Sequence, residues 1–592
     1  MDNKDLFAAI KLILWAVITS VSLVVVVLKT GGRIVATKLF WRLLTIGIVF
    51  YLTNRFSEFV RAQLASSKLS DSLRDFPASI WSNPWHISMH RIDLYVGGGA
   101  LIIVLLAIMY HWAGKTNTRP GEEHGSAAWA KPRDIAPLTT KQKNYRLQLT
   151  ATEALSLDTY ATQRNLNVLV IGAPGTGKTR GYVLPNLDSI DGMSFACTDP
   201  KGEIYRTMRA SLEARGINVR TLNLIDLRES ARFNPLSYFS ETDPETSVAQ
   251  LADCIIANTA GKSRSDGFWE RAERALLTAL IAYAWATSPE DHEPSLLDVI
   301  DLHKDMEGSE SNPDQFTSDT DLKMEAAREI VEQWQNNSPE FANFDPSVLK
   351  MLDFATRQYR VYQQGPAETR LSVVISLGVR LAPLDMHDVR DILHDDTIAL
   401  DQIGKEPTAL FLQIPDSHAT FKFVAAMFWQ SLFEKNIYIA DHTEDGRLPV
   451  PVHCFLDEFA NIGKIPQFEI VISTIRSRAI STSVIVQAYS QGKALWNDAW
   501  DTIVGNCDTI LFLGGRDAQT TDWLSKQLGD ETITMEEISQ NYGASGSRTK
   551  AQRTLKRALL TPDEIGRLPN DEALLLIRGL RPFRSKKATL KL

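Results

Sequence analysis

The residues best suited to chemistry lie in Gly172-Ala173-Pro174-Gly175-Thr176-Gly177-Lys178-Thr179, followed by Arg180. The spacing G-x-x-x-x-G-K-T is that of a phosphate-binding loop. Its glycines let successive backbone N–H groups turn toward phosphate oxygens in conformations that a Cβ would forbid. An ammonium at Lys178 can reach the β- and γ-phosphates, and a hydroxyl at Thr179 can hold Mg²⁺. A helix opening at this point offers its N-terminus to the anion. The apolar run Asn167-Val-Leu-Val-Ile171 reads as the buried strand that must carry the loop. ATP with Mg²⁺ is the expected ligand.

A second chemical group lies far downstream. The run Pro451-Val-His-Cys-Phe-Leu456 leads directly into Asp457-Glu458, an apolar strand ending in two carboxylates. In that Walker B arrangement Asp457 binds Mg²⁺ through water and Glu458 polarises the attacking water as general base. Gln487 follows the strand Ser483-Val-Ile-Val486, where an amide can orient water, sense the γ-phosphate or serve structure alone. Arg476 and Arg478 precede that strand, and Arg516 follows another, Thr509–Leu513. Each is a candidate arginine finger reaching a nucleotide in a neighbouring subunit, and each also reads as a solvated basic side chain.

Composition bounds what these groups can serve. The chain has 592 residues, 44% hydrophobic and 23% charged, with a formal net charge of −8. That is a globular mixture long enough for several domains. The negative balance excludes a protein that coats nucleic acid over its whole surface, but not one with a locally basic channel. The cysteines, at 197, 254, 454 and 507, are scattered without a C-x-x-C pair, so buried reduced thiols are expected.

The elements that position the motifs fall into an α/β pattern. Strands are expected within 145–171, at 192–198 ending in Asp199-Pro-Lys-Gly-Glu203, at 218–224, at 408–414 and at the positions above. A strand ending in Asp-Pro-Lys-Gly lies where α/β sheets put ligand-facing loops. Residues 247–384 turn helical, with apolar positions at helical spacing in 268–285, and read as an insertion into the α/β body. The basic segment Arg548–Arg557, after a Gly/Ser-rich loop, could touch phosphates or lipid head groups, and its simpler reading is a solvated helix face.

The N-terminal region is apolar in a different way. Runs at about 10–28 and 92–112 each approach the roughly 20 residues that cross a bilayer. They predict a membrane anchor over 1–113 with everything beyond it cytoplasmic, in keeping with Lys115, Arg119, Lys131 and Arg133 just past the second run. A further stretch at 39–52 contains Arg42 and is short for a span. It reads as an interfacial helix, and spanning would raise the count to three. The remaining boundaries are 114–246 and 385–592, the two parts of one nucleotide-binding domain.

In order, these motifs match a family. The chain resembles the type IV coupling proteins of the VirD4/TraG/TraD class. The resemblance rests on the anchor layout and on His124-Gly-Ser-Ala-Ala-Trp-Ala130. It continues through the phosphate loop, Asp199–Glu203, the Phe233-Asn-Pro235 turn and Gly267-Phe-Trp-Glu-Arg-Ala-Glu-Arg-Ala-Leu-Leu277. Phe455-Leu-Asp-Glu-Phe459, the strand before Gln487 and Leu559-Leu-Thr-Pro-Asp-Glu-Ile-Gly-Arg-Leu-Pro569 complete it. The resemblance implies a RecA-like P-loop ATPase domain with an all-helical insertion domain facing the substrate, behind an N-terminal transmembrane region. It implies a multi-pass protein of the bacterial inner membrane, assembled as a hexamer with nucleotide between subunits. The implied partners are single-stranded DNA with its relaxase and relaxosome, the channel proteins of a type IV secretion system, and membrane lipid. A receptor for secreted protein effectors shares the same motor motifs. A chromosome translocase of the FtsK type is less consistent, because Asp199–Glu203 and Leu559–Pro569 favour the coupling class.

Overall fold

The computed structural model describes residues 33–65, 76–113, 119, 121–259, 267–289, 291–306, 318–341, 343–415, 420–540 and 548–589. They form two compact units divided between Pro120 and Gly121.

In the first unit, α1 (Arg33–Ala65) and α3 (Arg91–Ala113) lie antiparallel, joined through the short α2 (Phe76–Ser82). Gly97 provides the close approach, since a Cβ there would meet the Phe50 ring at 3.0 Å. At the connecting end Asp93 is fully buried and accepts hydrogen bonds from Ser57, Ser88 and Arg61. The stretch 39–52 is thus part of a 33-residue helix, longer than its apolar run suggested. Helical hydrogen bonding continues past Leu52 because Asn54, Ser57 and Arg61 find polar partners across the pair. The expected span at 10–28 lies outside the described residues. Among the described residues no helix is long and apolar enough to cross a membrane; α3 coincides with the second expected span, but several side chains beyond Leu106 are not described.

The second unit is built on one sheet. Its strands are β3 (Val168–Gly172), β4 (Ser194–Asp199), β5 (Asn218–Asn223), β6 (Thr408–Gln413), β7 (Val452–Leu456), β8 (Ile480–Val486), β9 (Thr509–Gly514), β12 (Glu572–Ile577) and β13 (Phe583–Lys586). The order is β13-β12-β9-β3-β8-β7-β4-β6-β5. From β9 to β5 the pairing is parallel, while β12 and β13 add antiparallel edge strands. The central strands are apolar at nearly every position because helices cover both faces. Along β3, Val168 and Val170 pack into one core and Leu169 and Ile171 into the other. Two short strands, β1 (Arg146–Gln148) and β2 (Ala154–Ser156), precede β3. The four cysteines are buried and unpaired.

Between β5 and β6 the described residues hold helices and no strand, among them α6 (Pro244–Thr259), α7 (Gly267–Thr287), α10 (Pro346–Gln363) and α11 (Ala367–Leu381). The site proper needs only α4 (Leu184–Ser189), α5 (Glu203–Ala214) and, under the opposite core, α12 (Lys422–Asp441). In the insertion α8 (Leu296–Lys304) and α9 (Asp319–Gln335) complete the layer. A buried ion pair, Arg380 to Glu273 at 2.8 Å, fastens α11 to α7.

One expectation is corrected outright. Arg548–Arg557 forms no helix: it lies in β11 (Arg548–Ala558), paired antiparallel with β10 (Asp530–Gln540) in a ribbon separate from the main sheet. Thr532, Ile533, Thr534 and Ile538 make β10 β-branched, and cross-strand pairs such as Lys550–Glu536 at 2.8 Å absorb the basic charge. The base of this ribbon pairs with the start of the second unit. Ala127 donates to the Asp530 carbonyl at 3.0 Å, and the amides of His124 and Gly125 donate to the Thr532 hydroxyl.

Candidate nucleotide site

Parallel pairing brings the carboxyl ends of β3, β8, β7 and β4 side by side, and the motifs sit on the turns that leave them. Gly175 and Gly177 take φ of 77° and 89°, the left-handed region that side chains resist, so the loop after β3 folds back over its own strand. The Ala173 amide donates to the Gly514 carbonyl at 2.9 Å, and Thr176 donates through both amide and hydroxyl to Ala173. The loop enters a π turn at Thr179–Val183, continued by α4. The Lys178 ammonium is buried, donates to the Gly172 carbonyl at 2.9 Å and lies 3.8 Å from Glu458. Arg180 points outward and pairs with Glu203 at 3.1 Å.

Two strands away, Asp457 is 3% exposed and accepts from the Thr179 hydroxyl at 3.2 Å and from the Glu458 amide at 2.9 Å. Burial, with the neighbouring Glu458 charge, pushes its carboxyl up to about 6. A buried carboxylate facing a hydroxyl is an anionic site short of a cation. The donor set, one carboxylate and one hydroxyl, suits Mg²⁺, which takes its remaining ligands from water and phosphate. Among the described residues no three His, Cys, Asp or Glu side chains converge into a self-sufficient metal cage. Glu458 adopts φ of 51°, unusual for a side chain with a Cβ, and its carboxylate accepts from Gln487 Nε2 at 2.8 Å. That bond aims the carboxylate into a cleft of about 550 Å³ between the phosphate loop, β4 and β7.

The structure thus unites Gly172–Thr179, Asp457, Glu458 and Gln487, and it separates the arginines. Arg476 lies before the amino end of β8, whose seven residues put it roughly 23 Å from Gln487. Its guanidinium donates to the Thr159 carbonyl at 3.3 Å, and among the described residues it has no carboxylate partner. Arg478 is engaged by Asp441 through two hydrogen bonds of 2.7 and 2.9 Å. Arg516 stands exposed beyond β9 and donates to the Gly566 carbonyl at 3.3 Å.

Asp199 also lines the cleft, a residue the Asp-Pro-Lys-Gly pattern placed at a ligand-facing turn without assigning it a role. It accepts from the Tyr205 amide at 2.8 Å, which orders the first turn of α5. Burial raises its carboxyl above the usual range. His453 on β7 is a core residue: burial holds its imidazole down to about 3, and it bridges Ser481 and Ser483.

Residues 128–590 match the family model for type IV secretory system conjugative DNA transfer. The chain belongs to this family. It is similar to the probable conjugal transfer protein TraG of Sinorhizobium fredii, at 22% identity over 500 residues, covering 78% of this chain and 72% of that protein. Similarity to the protein VirD4 of Agrobacterium fabrum is also 22%, over 511 residues, with 84% and 70% covered. Among solved structures, the conjugative coupling protein TrwB lacking its N-terminal segment superposes with a TM-score of 0.54 at 15% identity, covering 81% of this chain and 96% of that one. TrwB with a non-hydrolysable ATP analogue gives 0.55 at 14% identity, covering 81% and 97%. The α/β P-loop architecture is therefore the one shared with TrwB.

Proposed function

We propose that this family member hydrolyses ATP with Mg²⁺ and uses the reaction to pass single-stranded DNA, with its attached relaxase, into a type IV secretion channel. One observation carries the hydrolytic reading: the Thr179–Asp457 and Glu458–Gln487 pairs face one cleft beside Lys178. Bound Mg²⁺ supplies charge neutralisation at the transferring phosphoryl group. Lys178 leaves the Gly172 carbonyl for the phosphates, loop amides hold their oxygens, and Glu458, aimed by Gln487, takes the proton of the attacking water. The family's DNA-transfer description supports DNA as cargo.

Arg476 is the finger we assign, acting on a nucleotide held by a neighbouring copy. It is too far from its own cleft to act there, and among the described residues it meets no carboxylate, whereas Arg478 is spent on Asp441. This assignment requires a homo-oligomer, for which a hexameric ring is the arrangement proposed. We place the protein in the bacterial inner membrane, with region 1–113 as anchor. Support comes from the apolar runs and from exposed Ile48 and Leu52 on α1 and Ile103 and Leu106 on α3, side chains suited to lipid. Antiparallel pairing sets 39–52 beside the apolar part of α3, which favours a spanning over an interfacial role.

The test is ATP turnover by the full chain in detergent, with and without single-stranded DNA, over a range of salt. Turnover stimulated by DNA and weakened by salt is expected. Turnover indifferent to DNA would move the cargo to protein effectors, and no turnover at all would remove the hydrolytic reading.

A further inference from the structure

The C-terminal segment reaches the phosphate loop from behind. After β13 the chain is fastened on two sides: the Ala151 amide donates to the Lys586 carbonyl at 2.9 Å, and the Lys587 amide donates to the Asp571 carbonyl at 2.9 Å. Ala588 is buried against the π turn, where a Cβ added to Gly181 would stand 3.2 Å from its carbonyl oxygen. So held, the half-buried Lys587 ammonium donates to the Thr176 carbonyl at 2.7 Å. Among the described residues no carboxylate lies within ion-pair distance of it, in contrast to Lys586, which pairs with Asp571 and Glu572. An ammonium that gives up water for a single carbonyl, without an ion pair, is placed there for that carbonyl.

The consequence follows from the planarity of the peptide. The Thr176 carbonyl and the Gly177 N–H belong to one trans unit and point in opposite directions. With the carbonyl drawn outward to Lys587, the Gly177 N–H is turned toward the cleft that Gly177 lines. At φ of 89° this glycine has no side chain to oppose rotation of the unit, and rotation would aim a carbonyl, not a donor, at the phosphates.

We propose that Lys587 is a positioning residue for the phosphate loop: through the Thr176 carbonyl it holds the Thr176–Gly177 peptide with its donor toward the triphosphate, coupling the C-terminal segment to nucleotide affinity. The inference rests on the hydrolytic reading above. Because coupling is reciprocal, nucleotide binding tightens the docking of residues 583–589 as much as that docking tightens nucleotide binding.

The experiment compares full-chain wild type, Lys587→Met, Lys587→Arg and Lys178→Ala for binding of a fluorescent ATP analogue, for turnover over a range of ATP and for unfolding without nucleotide. Lys587→Met is expected to weaken binding about tenfold, as it would if about a tenth of the freed loops kept the Gly177 donor toward the cleft. KM is expected to rise more than kcat falls, the nucleotide-free unfolding midpoint to stay near wild type, and Lys587→Arg to recover most of the affinity. Amide exchange across 583–589 should slow when the analogue binds wild type. Wild-type affinity in Lys587→Met beside lost affinity in Lys178→Ala would overturn this inference alone. A matched fall in affinity and in the nucleotide-free unfolding midpoint would also overturn it, since a merely structural role predicts that. A wild type that binds no nucleotide would overturn the hydrolytic reading and this inference with it.

Discussion

The two ends of β8 share one strand and one core, yet carry different kinds of chemistry. At the carboxyl end, the turns leaving adjacent parallel strands bring Lys178, Thr179, Asp457, Glu458 and Gln487 into one cleft, each already bonded to another member or to the loop. At the amino end, Arg476 and Arg478 stand two residues apart; one is locked to Asp441, and the other, among the described residues, donates to a backbone carbonyl and meets no carboxylate. The parallel sheet explains the first group, because strand ends, amide donors and helix starts coincide there. The second group cannot help the first within one subunit. What the contrast teaches is that one end gathers the nucleotide-facing groups and the other takes no part in that cleft.

The hardest blow to the carboxyl end is Glu458→Gln. It should lower turnover about a thousandfold while nucleotide binding persists, since only proton transfer is lost. Single-turnover hydrolysis and analogue binding measured side by side check it, and full hydrolysis would break the assignment. Next, Arg476→Ala should cost about a hundredfold in turnover, less than the strongest fingers known. Doping it into wild type should depress activity more than in proportion to its share, as expected of a shared site. Arg478→Ala should cost no more than about threefold in turnover and under about 1 kcal/mol in stability, because its ion pair with Asp441 is partly exposed. Equal effects from both arginines would erase the distinction drawn here.

A smaller effect concerns pH. Asp457 is raised to about 6 in the fold from 3.8, so the folded protein holds its proton more tightly than the unfolded chain does. Its contribution to stability is therefore greatest below about pH 4 and is lost as pH rises through about 6. Asp457→Asn without nucleotide should be more stable than wild type at pH 8, by about 1 to 3 kcal/mol, with the advantage shrinking toward pH 4. Denaturant unfolding at the two pH values tests this. The ionised form is the one that serves Mg²⁺, so adding Mg²⁺ with nucleotide should move this pH dependence of stability to lower pH.

Legibility in the sequence tracked the range of the interactions. The phosphate loop was readable because its spacing is a local backbone requirement, met by glycines at 175 and 177 within a few residues of Lys178. The Asp457-Glu458 pair was readable because an apolar run can end in two carboxylates only at the edge of a core. The Arg548–Arg557 strand was misread as a helix because its partner β10 lies beyond a loop, and charge alone does not distinguish a helix face from a ribbon edge. No local pattern marked Lys587, which meets Thr176 across 411 positions of sequence.

By itself, then, the sequence determined the α/β class, the nucleotide-binding loop and the acidic pair that answers it, since these depend on residues adjacent in the chain. Only the tertiary structure decided that Gln487 aims Glu458, that Arg478 is held by Asp441 while Arg476 donates to the Thr159 carbonyl, and that a C-terminal lysine stands behind the loop. Each of those depends on strand order and register, which bring distant residues within hydrogen-bond reach and which no short stretch of sequence encodes.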